Sequence, residues 1–362
     1  MLTQRCSSFQ STIPFRIVGD DGLSGEPDQP SAAWTLRQFL DGFVLPHYLV
    51  PRNRQPGTVR LYHQVVDLWE EFFQRNTTLA EIDGNQDLCR EFVARLSRRP
   101  GLRAKRIRSN TVRKLCTHLQ KILDLAGPRN LHGRRNRSAA ALIADVPYLE
   151  RPELVRSSPD RDFTLEEIGL WLGACRFAKR TQNIRRCRVE VFCRNLVLFV
   201  YNTALRIDTV MSAEQDMVGR KRENWITIPP TIYKGRKWGG DFYLNRHARA
   251  ALDAVRVPGE KRLFHWDNWP SSQTWLQKYH ERILQRSGIA EERYFGNHFH
   301  GLRSALLTWL NEQNPMVAKI VGGHRTGDVQ QNHYCNPRIV VDLLEQVPQP
   351  RPVEPERQGM LF

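Results

Sequence analysis

The sequence predicts a mainly α-helical protein with one small β-sheet, an α+β fold, on three observations. Apolar residues recur at the three-and-four spacing of buried helix faces through most of the chain. Strand alternation around a turn is clear in only one stretch, residues 225–244. Between two helical stretches the composition changes to Arg, Pro and Ser, the mark of a boundary between two domains.

Residues 1–33, polar and rich in Gly, Pro and Ser, read as a flexible lead-in. A short amphipathic helix runs from Trp34 to about Tyr48, with Leu36, Phe39, Leu40 and Phe43 on its apolar side. After Pro56-Gly57, Val59, Tyr62, Val65, Val66, Trp69, Phe72 and Phe73 keep helical period through a longer helix, and Leu88–Leu96 continues as a third. A fourth buries Val112, Leu115, Leu119, Ile122, Leu123 and Ala126 and stops at Gly127-Pro128. Residues 34–130 are therefore expected to form a helical bundle.

The segment entering that fourth helix, Arg98–Lys114, holds eight basic residues. A run of charge can be a solvated face. Here it sits just before a helix start, where free backbone N–H groups also favour phosphate, so Arg103, Lys105, Arg106, Arg108, Arg113 and Lys114 are read as contacts to a nucleic-acid backbone. Residues 131–161 are read as a basic linker, with Arg134 and Arg135 placed to lie on DNA so that the two domains grip a duplex from opposite sides.

The second domain, residues 162–338, opens with Thr164, Glu166 and Glu167 marking a helix start. An apolar helix from about Val189 to Tyr201 leads to Thr203-Ala204-Leu205-Arg206, with Asp208 expected to cap the next helix. An Arg at such a corner calls for an anion or a carboxylate, Asp208 or Glu214 being the ordinary salt-bridge partners. The β stretch alternates over Trp225–Ile228, turns through Lys234 and Lys237, and returns over Asp241–Leu244; two lysines at its tip form a cationic finger or an ordinary solvated turn. A further helix spans about Ser271–Gln285.

The stretch from Asn297 to Pro337 reads as helix, Asn-Pro break, short helix, Gly-Gly stop and a last segment bearing Tyr334. In its first helix the apolar stripe leaves His300 and Arg303 together on the other face. His324 follows the Gly322-Gly323 stop, and Tyr334 is the only tyrosine after Tyr294. Arg offers a planar fork that matches two phosphate oxygens, and a tyrosine hydroxyl is a competent nucleophile toward phosphorus once deprotonated. Only Glu312 and Asp328 are acidic in this stretch, so the carboxylate cluster that holds Mg²⁺ in metal-dependent nucleases is missing and no metal or other cofactor is expected. Residues 339–362 are read as a small apolar helix, Ile339–Leu344, and an extended or disordered tail, together a candidate contact with a neighbouring subunit.

The net charge of +16 and pI near 9.9 point to a polyanion partner, nucleic acid first, although ten lysines among 54 basic residues also fit an arginine-rich genome. Seven cysteines without a C-x-x-C pair fit neither a disulfide framework nor a zinc site and suit a reducing cytosol. No apolar run has transmembrane length, so the expected place is the cytoplasm, on the nucleoid when bound to DNA.

With Arg206, the Lys234 hairpin, His300-x-x-Arg303, His324 and Tyr334 in order, the chain resembles the tyrosine recombinase, or phage integrase, family. Thr203-Ala204-Leu205-Arg206-Ile207 is similar to the family's first Arg box, Lys234-Gly235-Arg236-Lys237 to its hairpin lysine motif, and His300-Gly301-Leu302-Arg303 to its second box. Gly323-His324 and His333-Tyr334 resemble its Gly-His and its nucleophile. Three departures stand out: Thr209 where an acid is usual, Gly322 where Leu is usual, and one extra residue between His324 and Tyr334.

The resemblance implies a helical core-binding domain and a mostly helical catalytic domain with a three-stranded sheet. It implies a site-specific recombinase that cuts and rejoins double-stranded DNA through a 3′-phosphotyrosyl link without metal or ATP, as a homotetramer on DNA. Tyr334 would be the nucleophile, Arg206, Arg303 and His324 the phosphate holders, His300 the acceptor of the tyrosine proton and Lys234, or else Lys237, the acid for the leaving 5′-oxygen. Type IB topoisomerase chemistry, and a DNA-binding module without activity, are the alternatives.

Overall fold

The computed structural model describes residues 30–354, without 53, 55, 75–76, 101–106, 129–140, 155–161, 180, 182–183, 185–186, 234–238, 297 and 324–335. The chain divides into two units, Met1–Arg156 and Ser157–Phe362. Each has its own apolar core. Almost all of the expected flexible lead-in, residues 1–29, lies outside the described residues.

In the first unit Thr35 caps α1 (Leu36–Phe39) through a capping box with Gln38. The helix continues as a wider π-helical run, Leu40–Leu49, which contains Pro46, a residue with no N–H to donate. Then follow α2 (Pro56–Phe73), α3 (Leu79–Ile82), α4 (Gln86–Arg98) and α5 (Ser109–Ala126). The bundle closes around Trp69, whose ring meets Phe73 at 4.7 Å and Phe92 at 5.2 Å between centroids. Val65, Val66, Leu119 and Ile122 complete the interior.

The structure corrects the linker expectation for part of residues 131–161. Residues 142–152 lie lengthwise along α5 in the opposite direction. Leu142 and Ile143 N–H donate to Ala126 O, the buried Gln120 accepts from Leu149 N–H at 2.8 Å and donates to Pro147 O at 3.2 Å, and Arg113 donates to Pro152 O at 3.0 Å. Ile143 and Leu149 are buried in the first unit's core. The composition is that of a linker, but those two apolar side chains hold the segment on the helix.

The second unit begins with α6 (Leu165–Ala174), capped by Thr164 and Glu167 as expected. At its centre stands α7 (Val189–Thr203), packed against α9 (Arg246–Asp253) and α12 (His298–Gln313). Between them come α8 (Ile207–Ser212), strands β1 (Trp225–Ile228) and β2 (Gly240–Tyr243), α10 (Gln273–Leu284) and α11 (Glu291–Tyr294); α13 (Pro315–Val321) and α14 (Pro337–Glu345) close the unit. The two strands pair antiparallel from Trp225↔Tyr243 to Ile228↔Gly240. Gly239 is required at the base of this hairpin, because a Cβ there would lie 2.1 Å from Ile228 O. Among the described residues the sheet has two strands, not three. A third reduces to one bridge, Val218 to Ile226, since Gly219 (φ 74°) turns the chain at once and donates to Trp225 O.

The terminal helix packs within its own unit: Val340 and Leu344 are buried in the second unit's core, while Ile339 is exposed. Asn245 Nδ2 donates to Leu344 O at 2.8 Å, and Glu345 accepts from the Tyr243 hydroxyl and Arg246 N–H. Beyond it the chain runs on as an extended strap: Tyr201 donates to Pro348 O, Gln349 and Asn202 exchange amide hydrogen bonds, and Val353 N–H donates to Gly169 O at 3.0 Å. The deciding groups are Asn202 and Asn245, both fully buried: Asn202 finds its partner in Gln349 of the strap, and Asn245 in Leu344 O of α14 and in Asn202 itself.

Candidate functional site

Each end of α13 is fixed locally. Asn314 Oδ1 accepts from Met316 and Val317 N–H, Pro315 takes the first helical position, and Gly322 and Gly323 end the helix, Gly323 at φ 68°. This brings Gly322 O back toward α12. On α12 Leu302, Leu306 and Leu310 face the core, and so does Arg303, only 3 % exposed. His300 lies exposed one turn earlier. The two therefore do not share a solvent face, because Arg303 turns inward between packed helices.

The guanidinium of Arg303 donates through Nη1 to Ala204 O and through Nη2 to Gly322 O. Those carbonyls are the C-caps of α7 and α13. A buried cation is costly unless hydrogen-bonded, and a helix C-terminus carries the partial negative charge that suits it. Ala204 stands two residues before Arg206, and Gly322 two before His324. One side chain thus ties the two Arg boxes and the approach to His324 to a common point.

Arg206 occupies the N-cap position of α8, half-buried, two residues after Ala204 at φ 49°. Asp208 lies within the first turn of α8 instead of capping it and accepts from Gln273, while Glu214 pairs with Lys261 at 3.0 Å. Thr203 holds the corner by donating to Phe199 O and accepting from Leu205 N–H. Thr209, one of the departures from the family pattern, is buried and donates to Ile232 O at 3.3 Å. With Tyr233 buried against Phe242, this roots the hairpin arm that leads to Lys234 on the helix that starts at Arg206. The sequence marks Thr209 only as a departure from the family pattern; it does not show the tethering role of the hydroxyl, whose acceptor is a main-chain carbonyl.

Beneath the start of α12, His298 and His280 are buried against Trp171 and Phe299, with Phe299 centroids at 5.0 and 4.8 Å. Burial pushes His298 down to about 4 and His280 well below the usual imidazole value. Both are neutral packing groups. Lys234, Lys237, His324 and Tyr334 lie outside the described residues, as do Arg103, Lys105, Arg106, Arg134 and Arg135. Of the expected backbone contacts, Arg108 and Lys114 are exposed at the start of α5, whereas Arg113 is directed to Pro152 O. Among the described residues no three His, Cys, Asp or Glu side chains gather as a metal site, and no helix is long and apolar enough to cross a membrane.

No family model and no curated protein sequence matches the chain. Solved structures do. A lambda integrase tetramer bound to a Holliday junction superposes with a TM-score of 0.55 at 14 % identity, covering 84 % of this chain and 80 % of that one. The Tn1549 transposon integrase in complex with transposon right end DNA gives 0.55 at 12 %, covering 86 % and 99 %. The XerH site-specific recombinase bound to its difH substrate gives 0.51 at 15 %, covering 76 % of each chain. This chain has the tyrosine recombinase fold. The match spans most of its length, so that fold includes both units.

Proposed function

We propose that the protein is a site-specific DNA strand transferase of the tyrosine recombinase type. The observation that carries this reading is the convergence on Arg303: the backbone beside Arg206 and the backbone beside His324, far apart in sequence, are both held by its guanidinium. The similar solved structures are recombinases and integrases on DNA, one of them a tetramer on a Holliday junction, which supports duplex DNA as substrate and a tetramer as the working assembly.

In the proposed reaction the Tyr334 oxygen attacks a backbone phosphorus as the bond to the 5′-oxygen breaks. A 3′-phosphotyrosyl link forms, and the free 5′-hydroxyl of a partner strand later reverses the step. Tyrosine, with an ordinary pKa of about 10, must lose its proton, and exposed His300 is the acceptor. Arg206 and Arg303 stabilise the charge that gathers on the non-bridging oxygens, with His324 as a further donor. Arg303 suits this because two carbonyls fix its fork in advance, so no reorganisation is needed when phosphate arrives. Lys234, or else Lys237, protonates the leaving 5′-oxygen. The covalent link conserves the phosphodiester bond, so the chemistry requires neither metal nor ATP.

The test is strand exchange between two labelled duplexes drawn from the DNA flanking the gene, with wild type beside Arg206→Ala. Exchange by wild type, lost on the order of 10²-fold or more in the variant while duplex binding persists, is the expected result. Duplex binding with no exchange or cleavage on any flanking sequence would leave a binding module without activity. Relaxation of supercoiled DNA lacking any special site, by a monomer, would favour topoisomerase chemistry.

A further inference from the structure

The return of residues 142–152 along α5 has a consequence for the first unit. It carries Arg151 to the middle of that helix, where the guanidinium donates to Thr117 Oγ1 at 3.5 Å. Lys121, one turn on, places its ammonium over the ring of Tyr48 at 5.0 Å, and Arg52 covers the same ring at 4.0 Å. His118 bonds through Nδ1 to Lys114 O at 2.7 Å, which directs Nε2 away from the helix, and its ring stands edge-on to Tyr62 at 4.9 Å. Thr117, His118, Lys121 and Arg151 line one side of an open cleft of about 220 Å³, with Tyr62 as a wall. Asp124 also lines it, but its Oδ1 accepts from the amide of buried Gln120. Among the described residues neither Lys121 nor Arg151 has a carboxylate within ion-pair distance, so the cleft is cationic.

We propose that this cleft binds a backbone phosphate of duplex DNA, through Lys121 and Arg151 with His118 and Thr117 beside them. The four groups come from positions 117–121 and 151, so no run of charge in the sequence marks them. Their spacing from the exposed basic end of α5 fits a duplex. Exposed Lys114 stands seven residues, two turns, before Lys121 and so on the same face, about 10 Å away at about 1.5 Å per residue, against a major groove about 12 Å wide. Anchors at both places can therefore reach phosphates on opposite sides of one groove. The inference rests on the proposed DNA-transferase function and adds to it a second anchor in the first unit.

The experiment is duplex binding by the full chain, followed by fluorescence anisotropy across a salt series. Each phosphate contact contributes about 0.9 to the slope of log K against log salt. Lys121→Gln and Arg151→Gln are each expected to lower that slope by about one, and the double variant by about two. Arg90→Gln, an exposed residue already paired with Asp87, serves as the control and is expected to leave it nearly unchanged. Thermal melting by circular dichroism checks that each variant is folded. Lys121→Gln alone decides the matter if Arg151→Gln proves unstable. An unchanged slope in a folded Lys121→Gln protein overturns the proposal. Calorimetry with inorganic phosphate separates the sources: binding that Lys121→Gln abolishes, beside an unchanged DNA salt slope, assigns the cleft to a free anion and overturns the proposal as well. Failure of the functional reading looks different: wild type would form no covalent adduct with DNA, whatever its salt slope.

Discussion

Gly169 lies inside α6 with the carboxy-terminal strap across it. A Cβ there would sit 2.3 Å from Arg351 O and 3.1 Å from Val353 Cγ2. Alanine in an exposed helix interior is about 1 kcal/mol better than glycine, so by propensity alone Gly169→Ala stabilises the protein. The strap reverses the sign. A carbonyl oxygen must retreat by about 1 Å to reach ordinary contact, and overpacking of this kind costs about 1–3 kcal/mol. The Val353 N–H bond to Gly169 O is lost as the strap moves, at about 1 kcal/mol net. The balance is a destabilisation of about 1–3 kcal/mol, or roughly 2–4 °C in melting temperature for each kcal/mol in a unit of this size. The assay is thermal unfolding of wild type and Gly169→Ala, each with and without residues 351–362. The substitution should destabilise the full chain and stabilise the truncated one. A higher melting temperature for Gly169→Ala in the full chain would refute docking of the strap in its own unit.

Three further outcomes follow from the site. Ala204 is held at φ 49°, where a side chain costs about 1–2 kcal/mol relative to ordinary helix geometry, so Ala204→Gly should raise the melting temperature despite glycine's larger chain entropy; a clear drop would contradict the left-handed corner. Arg303→Ala leaves two buried C-cap carbonyls without their donor and should destabilise the second unit by at least about 1–3 kcal/mol, read by denaturant unfolding, as well as abolish cleavage. A variant as stable as wild type would show that Arg303 does not tie the boxes together. The buried histidines set an acid limit: the unfolded imidazole takes up a proton near pH 6.5, whereas burial holds His298 at about 4 and His280 lower still. Their contribution is intact above pH 6.5 and falls as pH drops toward 4, by about 1.4 kcal/mol per pH unit per histidine, or roughly 3 kcal/mol for His298 alone. His298→Phe should flatten the loss between those pH values, and an unchanged pH slope would contradict it.

Much of the helical architecture is legible because its signals are local. Asn314-Pro315 and Gly322-Gly323 bracket α13, Thr164 and Glu167 open α6, and the apolar periods of α2 and α5 place their buried faces, since each signal depends on neighbours within a few residues. What the sequence hides is long-range and made of backbone. Arg303 reads as an exposed partner of His300 because its acceptors, Ala204 O and Gly322 O, are main-chain atoms that every residue possesses. The linker composition of residues 131–161 obscures two apolar anchors, Ile143 and Leu149, too few to show a period. The strap after α14 has an exposed-looking, proline-bearing sequence, and its partners, the buried Tyr201 and Asn202, stand far back in the sequence on α7. The third strand fails after one bridge because Gly219 turns the chain, a conformational fact that alternation does not report.

The covalent link tests the proposed chemistry most directly. Full-length protein is incubated with nicked duplexes from the gene's flanking DNA, the adduct is isolated on a denaturing gel, and the DNA-bearing peptide is sequenced by mass spectrometry. The proposed reaction requires a peptide linked through Tyr334 to a 3′-phosphate, absent in Tyr334→Phe. An adduct on another residue or to a 5′-phosphate, or one that persists in Tyr334→Phe, would contradict it.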